Sequence, residues 1–266
     1  MNSRNQTLLL LNDLVLSLRR YRFWLYLGWN DVLKQYRRSF LGPVWITLNT
    51  GVFVIAFSLV GAQLFDQDLA TYATYFCTGF IIFGFLTSII NDGCQCFIAA
   101  ESYLKQSDTP KMIFPLQIVV RNFIIFGHNA VVILLVSLWA GSLKNINLLG
   151  VIFSLTSIFI TGVFLAALLG ALSARFRDIP LIVSTFLQTL FFLTPIMWRP
   201  EQLTERAQWL VTLNPLASFL GALRGAITGE PVAPYQIIGV LITTMAVSVL
   251  CLVVFRSARG KLVYWV

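Results

Sequence analysis

The sequence predicts an all-α polytopic membrane protein with six transmembrane helices, and three observations carry that prediction. Hydrophobic residues make up 58% of the 266 and charged residues only 11%, against about 45–50% and about 25% in soluble domains. So few charges cannot cover a water-facing surface, so most of the surface faces lipid. The apolar stretches are continuous rather than alternating, which selects helices over a transmembrane barrel. Six of them come near or exceed the about 20 residues that a helix needs to cross a hydrocarbon core of about 30 Å.

The predicted spans are Gly42–Phe65, Leu69–Ile90, Ile113–Ala140, Leu148–Ser173, Ile179–Trp198 and Gln236–Phe255. They divide the chain into an N-terminal segment (1–41), a transmembrane domain (42–256) and a short tail (257–266). Thr194-Pro195 is expected to kink the fifth span near one end. The stretch Leu8–Leu18 is short and broken by Asn12 and Asp13, with no small-residue cleavage site, so it does not read as a cleaved leader.

The net charge of +8 is placed by topology. Arg4, Arg19, Arg20, Arg22, Lys34, Arg37 and Arg38 precede the first span, and the next loop, 66–68, holds no Lys or Arg. Lys105 and Lys111 follow span two, Arg175 and Arg177 span four, and Arg256, Arg259 and Lys261 the last span. Lys144 follows span three, and Arg199, Arg206 and Arg224 follow span five. The positive-inside rule then places both termini in the cytoplasm of an inner-membrane protein. Arg121 falls within span three, near its cytoplasmic end, where it can snorkel. Basic residues gathered at span ends argue against nucleic acid as a partner.

Three pieces do not cross. Leu14–Tyr36 mixes basic residues with Trp24, Tyr26 and Trp29, the composition of an amphipathic helix lying on the membrane face. It is a membrane anchor or a docking surface. The loop after span two is cytoplasmic. Ala207–Thr228 is apolar enough for a seventh span, but Asn214-Pro215 interrupts it and Arg224 charges it. A seventh span would also move the basic tail outside. Ala207–Thr228 is therefore expected to form two short helices that dip into the outer leaflet and return, within a periplasmic segment 199–235; such broken helices are tolerated at membrane depth only where protein or water satisfies the backbone.

Little catalytic chemistry is offered. Asp92 and Asp178 sit at predicted span ends, and no Asp or Glu falls inside a span, which argues against an ion-coupled carrier. His128 beside Asn129 reads as a helix–helix hydrogen bond or as a relay. No G-x-x-x-x-G-K-[ST] occurs, so the chain has no P-loop of its own. Asp66-x-Asp68 reads as solvated loop acids. With a single His, no nucleophilic triad can be assembled, and no metal site is expected. Cys77, Cys94, Cys96 and Cys251 lack C-x-x-C spacing and read as reduced thiols. Gly162, Ala166, Gly170 and Ala174 put small residues on one face of span four, the pattern of close helix packing. Tyr72, Tyr75, Phe76, Phe80 and Phe83, with Phe191, Phe192 and Trp198, form a stripe that is core packing, an interfacial belt or the lining of a sugar pathway.

Three stretches carry a family resemblance. Asp31–Trp45 with Leu48-Asn49, Ala174–Pro180 leading into Phe191–Trp198, and Asn214-Pro215-Leu216 resemble, in order and spacing, the permease subunit of polysaccharide exporters of the ABC-2 type. The O-antigen exporters of Gram-negative bacteria are the most similar sub-group, and capsule and teichoic-acid permeases share the plan. The resemblance implies a homodimer with two copies of a cytoplasmic ABC ATPase, which would bind ATP and Mg; this chain would hold no cofactor. It implies an undecaprenyl-diphosphate-linked polysaccharide as substrate and a channel lined by aromatic side chains. ATPase coupling would fall on Phe97–Asp108, with Phe97, Glu101, Tyr103, Lys105 and Asp108 as candidates, and 199–235 would be the periplasmic gate. Lys34, Arg37, Arg38, Arg175 and Arg177 are candidates for the lipid diphosphate or are plain topology signals. A membrane enzyme acting on lipid-linked sugars and an ABC-2 permease for a drug or another lipid are the alternatives.

Overall fold

The computed structural model describes residues 12–35, 37, 39–106, 109–142 and 146–266. Of the residues singled out above, Arg4, Leu8, Tyr36, Arg38, Asp108 and Lys144 lie outside them. The described chain is helical with no strand. Helix α1 covers 12–19 and α2 Tyr21–Gln35. Then come α3 (Val44–Leu64), α4 (Leu69–Ala99), α5 (Glu101–Gln106), α6 (Ile113–Trp139) and α7 (Leu148–Arg175). The last five are α8 (Ile179–Leu193), α9 (Trp209–Thr212), α10 (Pro215–Thr228), α11 (Pro234–Ala258) and α12 (Leu262–Trp265).

Helices α3, α4, α6, α7 and α11 are long and apolar enough to cross a membrane. Helix α8 has 15 residues, about 22 Å at 1.5 Å per residue. A contact between the two ends of the chain decides whether it counts. The buried carboxylate of Asp13 accepts from Arg259 Nη2 and Nε at 2.9 and 3.1 Å, and from the Met112 and Lys111 N–H groups at 3.1 and 3.2 Å. A residue ahead of the first crossing thus touches one beyond the last, so the number of crossings is even. Helix α8 makes the sixth, completed by the non-helical segment 194–198.

That segment differs from the expected kink. Pro195 cannot continue a helix, and α8 stops at Leu193 rather than running to Trp198. The freed backbone is then satisfied by protein: the Tyr75 hydroxyl donates to the Trp198 and Pro195 carbonyls at 2.9 and 3.3 Å. Thr194 and Ile196 are fully buried. Non-helical backbone at membrane depth survives only under such cover.

The chain then folds back. Arg199 and Glu230 are 3.9 Å apart, so the segment between them ends where it began. Within it, Glu205–Thr212 and Pro215–Thr228 are bent by 86°. Asn214 marks the tip: its Oδ1 accepts from the Leu216 and Ala217 N–H groups, and its Nδ2 donates to Thr194 Oγ1 at 2.9 Å. Pro215 starts α10, and Gly229, at φ 76°, closes it in the left-handed region. The Ala226 carbonyl accepts from the Asn147 N–H at 2.8 Å, so α10 ends level with the start of α7. The segment is re-entrant.

Helix α4 is the core. Tyr72, Phe76, Ile82 and Phe97 are fully buried along it, and it packs on α3, α6, α7, α8 and α10. The small face expected on span four meets it: a Cβ on Gly93 would lie 2.8 Å from the Ala166 Cα, and one on Gly170 would strike Cys96 and the Gly93 carbonyl. Helix α4 also continues unbroken through Asp92, expected at a span end, because that carboxylate has partners: Arg121 pairs with it and Asn122 Nδ2 donates to it at 2.8 Å. Helix α2 lies along the first turns of α6. Gly28 lets the two backbones approach, and Asp31 accepts from Gln117 Nε2 at 2.6 Å. Its other face leaves Tyr26 and Trp29 exposed. All four cysteines are free and buried.

Candidate functional site

Helix α8 is the least embedded of the six crossings. Leu187 is its one buried residue among those described, and a groove lies on each side of it. The front groove, about 440 Å³, is formed with α4 and lined by Phe83, Thr87, Asn91, Ser184, Leu187, Gln188, Phe191 and Phe192. Phe83, Thr87 and Asn91 recur at four-residue steps, as do Ser184 and Gln188, so each set shares one helix face.

The polar atoms of this groove divide into two kinds. The hydroxyls are satisfied by their own helices: Thr87 Oγ1 donates to the Phe83 carbonyl and Ser184 Oγ to the Leu181 carbonyl, each at 2.9 Å. Such back-bonding costs a membrane helix little. The amides of Asn91 and Gln188 are exposed and have no partner among the described residues. Ser88 and Gln95 continue the exposed polar edge along α4. Unpaired amides facing hydrocarbon cost several kcal/mol each by order of magnitude. This face is therefore built for water, a polar ligand or another protein surface.

The aromatic candidates separate into three groups. Tyr72, Phe76 and Phe80 face α3: Phe76 stacks on Phe57 at 4.4 Å and Phe80 on Phe53 at 4.7 Å, while Tyr72 stacks on Phe65 at 5.7 Å. Tyr72 and Phe76 are fully buried, so their rings are packing within one chain. Phe83, Phe191 and Phe192 gather at the front groove, Phe83 edge-on to Phe191 at 5.5 Å, and Phe192 is 72% exposed. Trp198 sits beyond them, its Nε1 donating to the Phe192 carbonyl at 3.2 Å.

Tyr75 stands apart. Its ring is in contact with two guanidinium groups, Arg224 at 3.8 Å and Arg199 at 4.7 Å. Arg224, counted in the sequence as a loop charge, is only 4% exposed. Nothing local in its sequence signals this, because the space beside it exists only where Gly79 of α4 lacks a side chain. A cation desolvated over an aromatic face gains about 2 kcal/mol or more. The arrangement clamps the re-entrant hairpin to α4, while the same tyrosine holds segment 194–198.

At the end of the bundle that carries the Asp13–Arg259 contact, Phe97 is fully buried and stacks on Phe255 at 5.8 Å, so its ring serves the core. Glu101, Tyr103 and Lys105 of α5 are exposed. Glu101 pairs with Lys105 at 2.6 Å, and this hydrogen bond holds its carboxyl below the usual range. Lys34, paired with Asp31 at 3.8 Å, and Arg37 follow the α2 side of α6. Arg175 and Arg177 lie at the turn between α7 and α8, Arg175 over the rings of Phe176 and Trp265 at 5.1 and 5.5 Å. The His128 ring bonds within its own helix, Nδ1 meeting the Ile124 carbonyl at 2.8 Å; the helix–helix bonds at this level come instead from Thr47 and Thr50 of α3, which donate to the His128 backbone carbonyl and to Asn129 Oδ1.

Comparison with known proteins covers most of the chain. The chain is 25% identical over 237 residues to an O-antigen export system permease protein RfbA of Klebsiella pneumoniae, covering 86% of this chain and 91% of that one. A protein of the same name from Myxococcus xanthus is 24% identical over 212 residues, covering 78% and 81%. The family profile described as ABC-2 type transporter matches residues 22–228, from α2 through the core helices to the end of the re-entrant hairpin. The apolar crossings and the match over residues 22–228 agree: this chain is a multi-pass membrane protein of the ABC-2 type transporter family.

Proposed function

We propose that this chain is the permease subunit of an inner-membrane exporter that moves an undecaprenyl-diphosphate-linked polysaccharide, O-antigen being the best-supported polymer. The observation that carries the reading is the polar front groove of α4 and α8. Unpaired amides beside exposed aromatic faces suit a sugar chain, which offers hydroxyls to the first and pyranose faces to the second. The names of the relatives favour the same substrate. In this reading two copies face each other across that groove, and a separate ATPase, carrying ATP and Mg, docks at the end bearing α1, α2 and α5. The distribution of Lys and Arg supports a cytoplasmic position for that end. The missing P-loop leaves hydrolysis to the partner.

The test uses the full chain in its cell. Deleting the gene is expected to strand lipid-linked polymer inside and remove surface polysaccharide, and a P-loop subunit is expected to co-purify with the tagged chain. Normal surface polysaccharide in the deletion strain overturns the polymer. Modification of a lipid-linked sugar by the purified chain with no ATPase present overturns the transporter.

A further inference from the structure

The back of α8 is built unlike its front. Behind it lies a cleft of about 360 Å³, walled by Ile182, Phe186 and Leu190 of α8, Leu165 and Leu169 of α7 and Val247 of α11, and floored by Pro215 and Phe219 at the hairpin tip. Nothing polar beyond threonine lines it, and Thr161 is already paired with Thr244 at 2.8 Å. A second, smaller pocket of about 110 Å³ lies between α7 and α11 near their last turns, and it is of opposite character: Arg175, Ser257, Lys261 and Trp265 line it with Leu172, Phe176 and Val254.

The linings of the two pockets follow one another along the same faces of α7 and α11, two hollows of a shared furrow between those helices. On α7 the cleft residues Ile158, Thr161, Leu165 and Leu169 step by three and four, and the same steps continue to Leu172 and Phe176 of the basic pocket. On α11 Thr243 and Val247 continue, two turns on, to Val254 and Ala258. Residues so spaced share a helix face. The dimensions suit one lipid. From Arg175 to Leu169 is about 9 Å along the helix, and from Leu169 to Ile158 about 16 Å. One leaflet of the hydrocarbon core is about 15 Å deep. Neither Arg175 nor Lys261 has a carboxylate partner among the described residues. The Arg175 guanidinium lies over two rings, which leaves its N–H edge free for a phosphate.

We infer that this furrow binds one anionic phospholipid, its headgroup phosphate at Arg175 and Lys261 and one acyl chain in the cleft behind α8. Basic pockets between membrane helices take anionic headgroups, and a chain in the cleft restores the contacts that α8 otherwise lacks on that side. The lipid is a resident one. It lies behind α8, whereas the polymer groove proposed above lies in front, and its binding does not depend on that reading.

The test is binding to the intact purified chain, measured as thermal stabilisation by added lipid in a neutral detergent. Phosphatidylglycerol is expected to stabilise the wild type and phosphatidylcholine to do so far less. The double variant Arg175→Gln/Lys261→Gln, changed only at exposed side chains, is expected to bind phosphatidylglycerol roughly thirtyfold more weakly, two surface charges' worth. Leu165→Trp is expected to abolish the stabilisation while keeping the charges. Equal stabilisation by both lipids, or by phosphatidylglycerol in all three proteins, overturns the site. Stabilisation by a polyprenyl diphosphate and not by phosphatidylglycerol assigns the furrow to the substrate. A change of oligomeric state in Leu165→Trp assigns the cleft to a second copy. Either result overturns the resident lipid.

Discussion

Helix α4 meets α7 and α8 in opposite ways. Against α7 it presents Gly93 and Cys96 to Ala166 and Gly170, with backbones too close for a larger side chain. The Cys96 thiol donates to the Ala166 carbonyl at 3.4 Å. Against α8 it presents Phe83, Thr87 and Asn91 across a groove, and α8 answers with a single buried leucine. Lipid supplies no hydrophobic drive between helices, so close van der Waals fit is what holds them. The α4–α7 seam has that fit and acts as the frame. Helix α8 lacks it, and is held at its end through Tyr75, Asn214 and Thr194. A wall fixed mainly at its end, between a polar groove and an apolar cleft, is the part of the bundle that can move at least cost.

Substitutions at three places, the seam, the clamp and the groove, break or sharpen this contrast. The largest effect belongs to the seam. Gly170→Leu drives a side chain into Cys96 and the Gly93 carbonyl, at the upper end of overpacking costs, about 3 kcal/mol. Thermal unfolding in detergent should show a large fall in midpoint; an unchanged midpoint would mean that the seam is not the frame. Next comes the clamp. Tyr75→Leu leaves Arg224 buried without its aromatic face, about 2 kcal/mol, and also removes the hydroxyl from the Pro195 and Trp198 carbonyls, about 1 kcal/mol more. The double variant Tyr75→Leu/Arg224→Met removes the stranded charge and is expected to recover the part of the loss due to Arg224, but not the part due to the lost hydroxyl, because an apolar replacement of a buried charge is often neutral or better. Additive losses would show that the two residues do not act on each other. The smallest effect on stability belongs to the groove. Gln188→Leu replaces an exposed, unpaired amide and should shift stability by less than about 0.5 kcal/mol. Surface polysaccharide should nevertheless fall. Full export with this variant would remove the amide from the pathway.

Much of the fold was legible because it is local. Continuous apolar runs gave the crossings, and Asn214-Pro215 marked the interruption that became the hairpin tip. The four-residue steps from Gly162 to Ala174 announced a close neighbour. The site was less legible. Helix α8 ends at Leu193 ahead of Pro195, and the backbone so freed is held by Tyr75, far away in sequence, whose hydroxyl donates to the Pro195 and Trp198 carbonyls. The aromatic stripe on span two looked like one feature. It divides because α4 has neighbours on every side, α3 taking Tyr72, Phe76 and Phe80, and α8 taking Phe83.

By itself the sequence determined which segments are apolar enough to cross and which one turns back. Those follow from hydropathy, charge and Pro/Gly placement, each readable within a few helical turns. The tertiary structure alone decided that Arg224 is buried, that Asp92 has a cation beside it in mid-helix, and that α8 separates a polar groove from an apolar cleft. A charge or an amide within a membrane takes its meaning from its partners, and those partners lie on other helices.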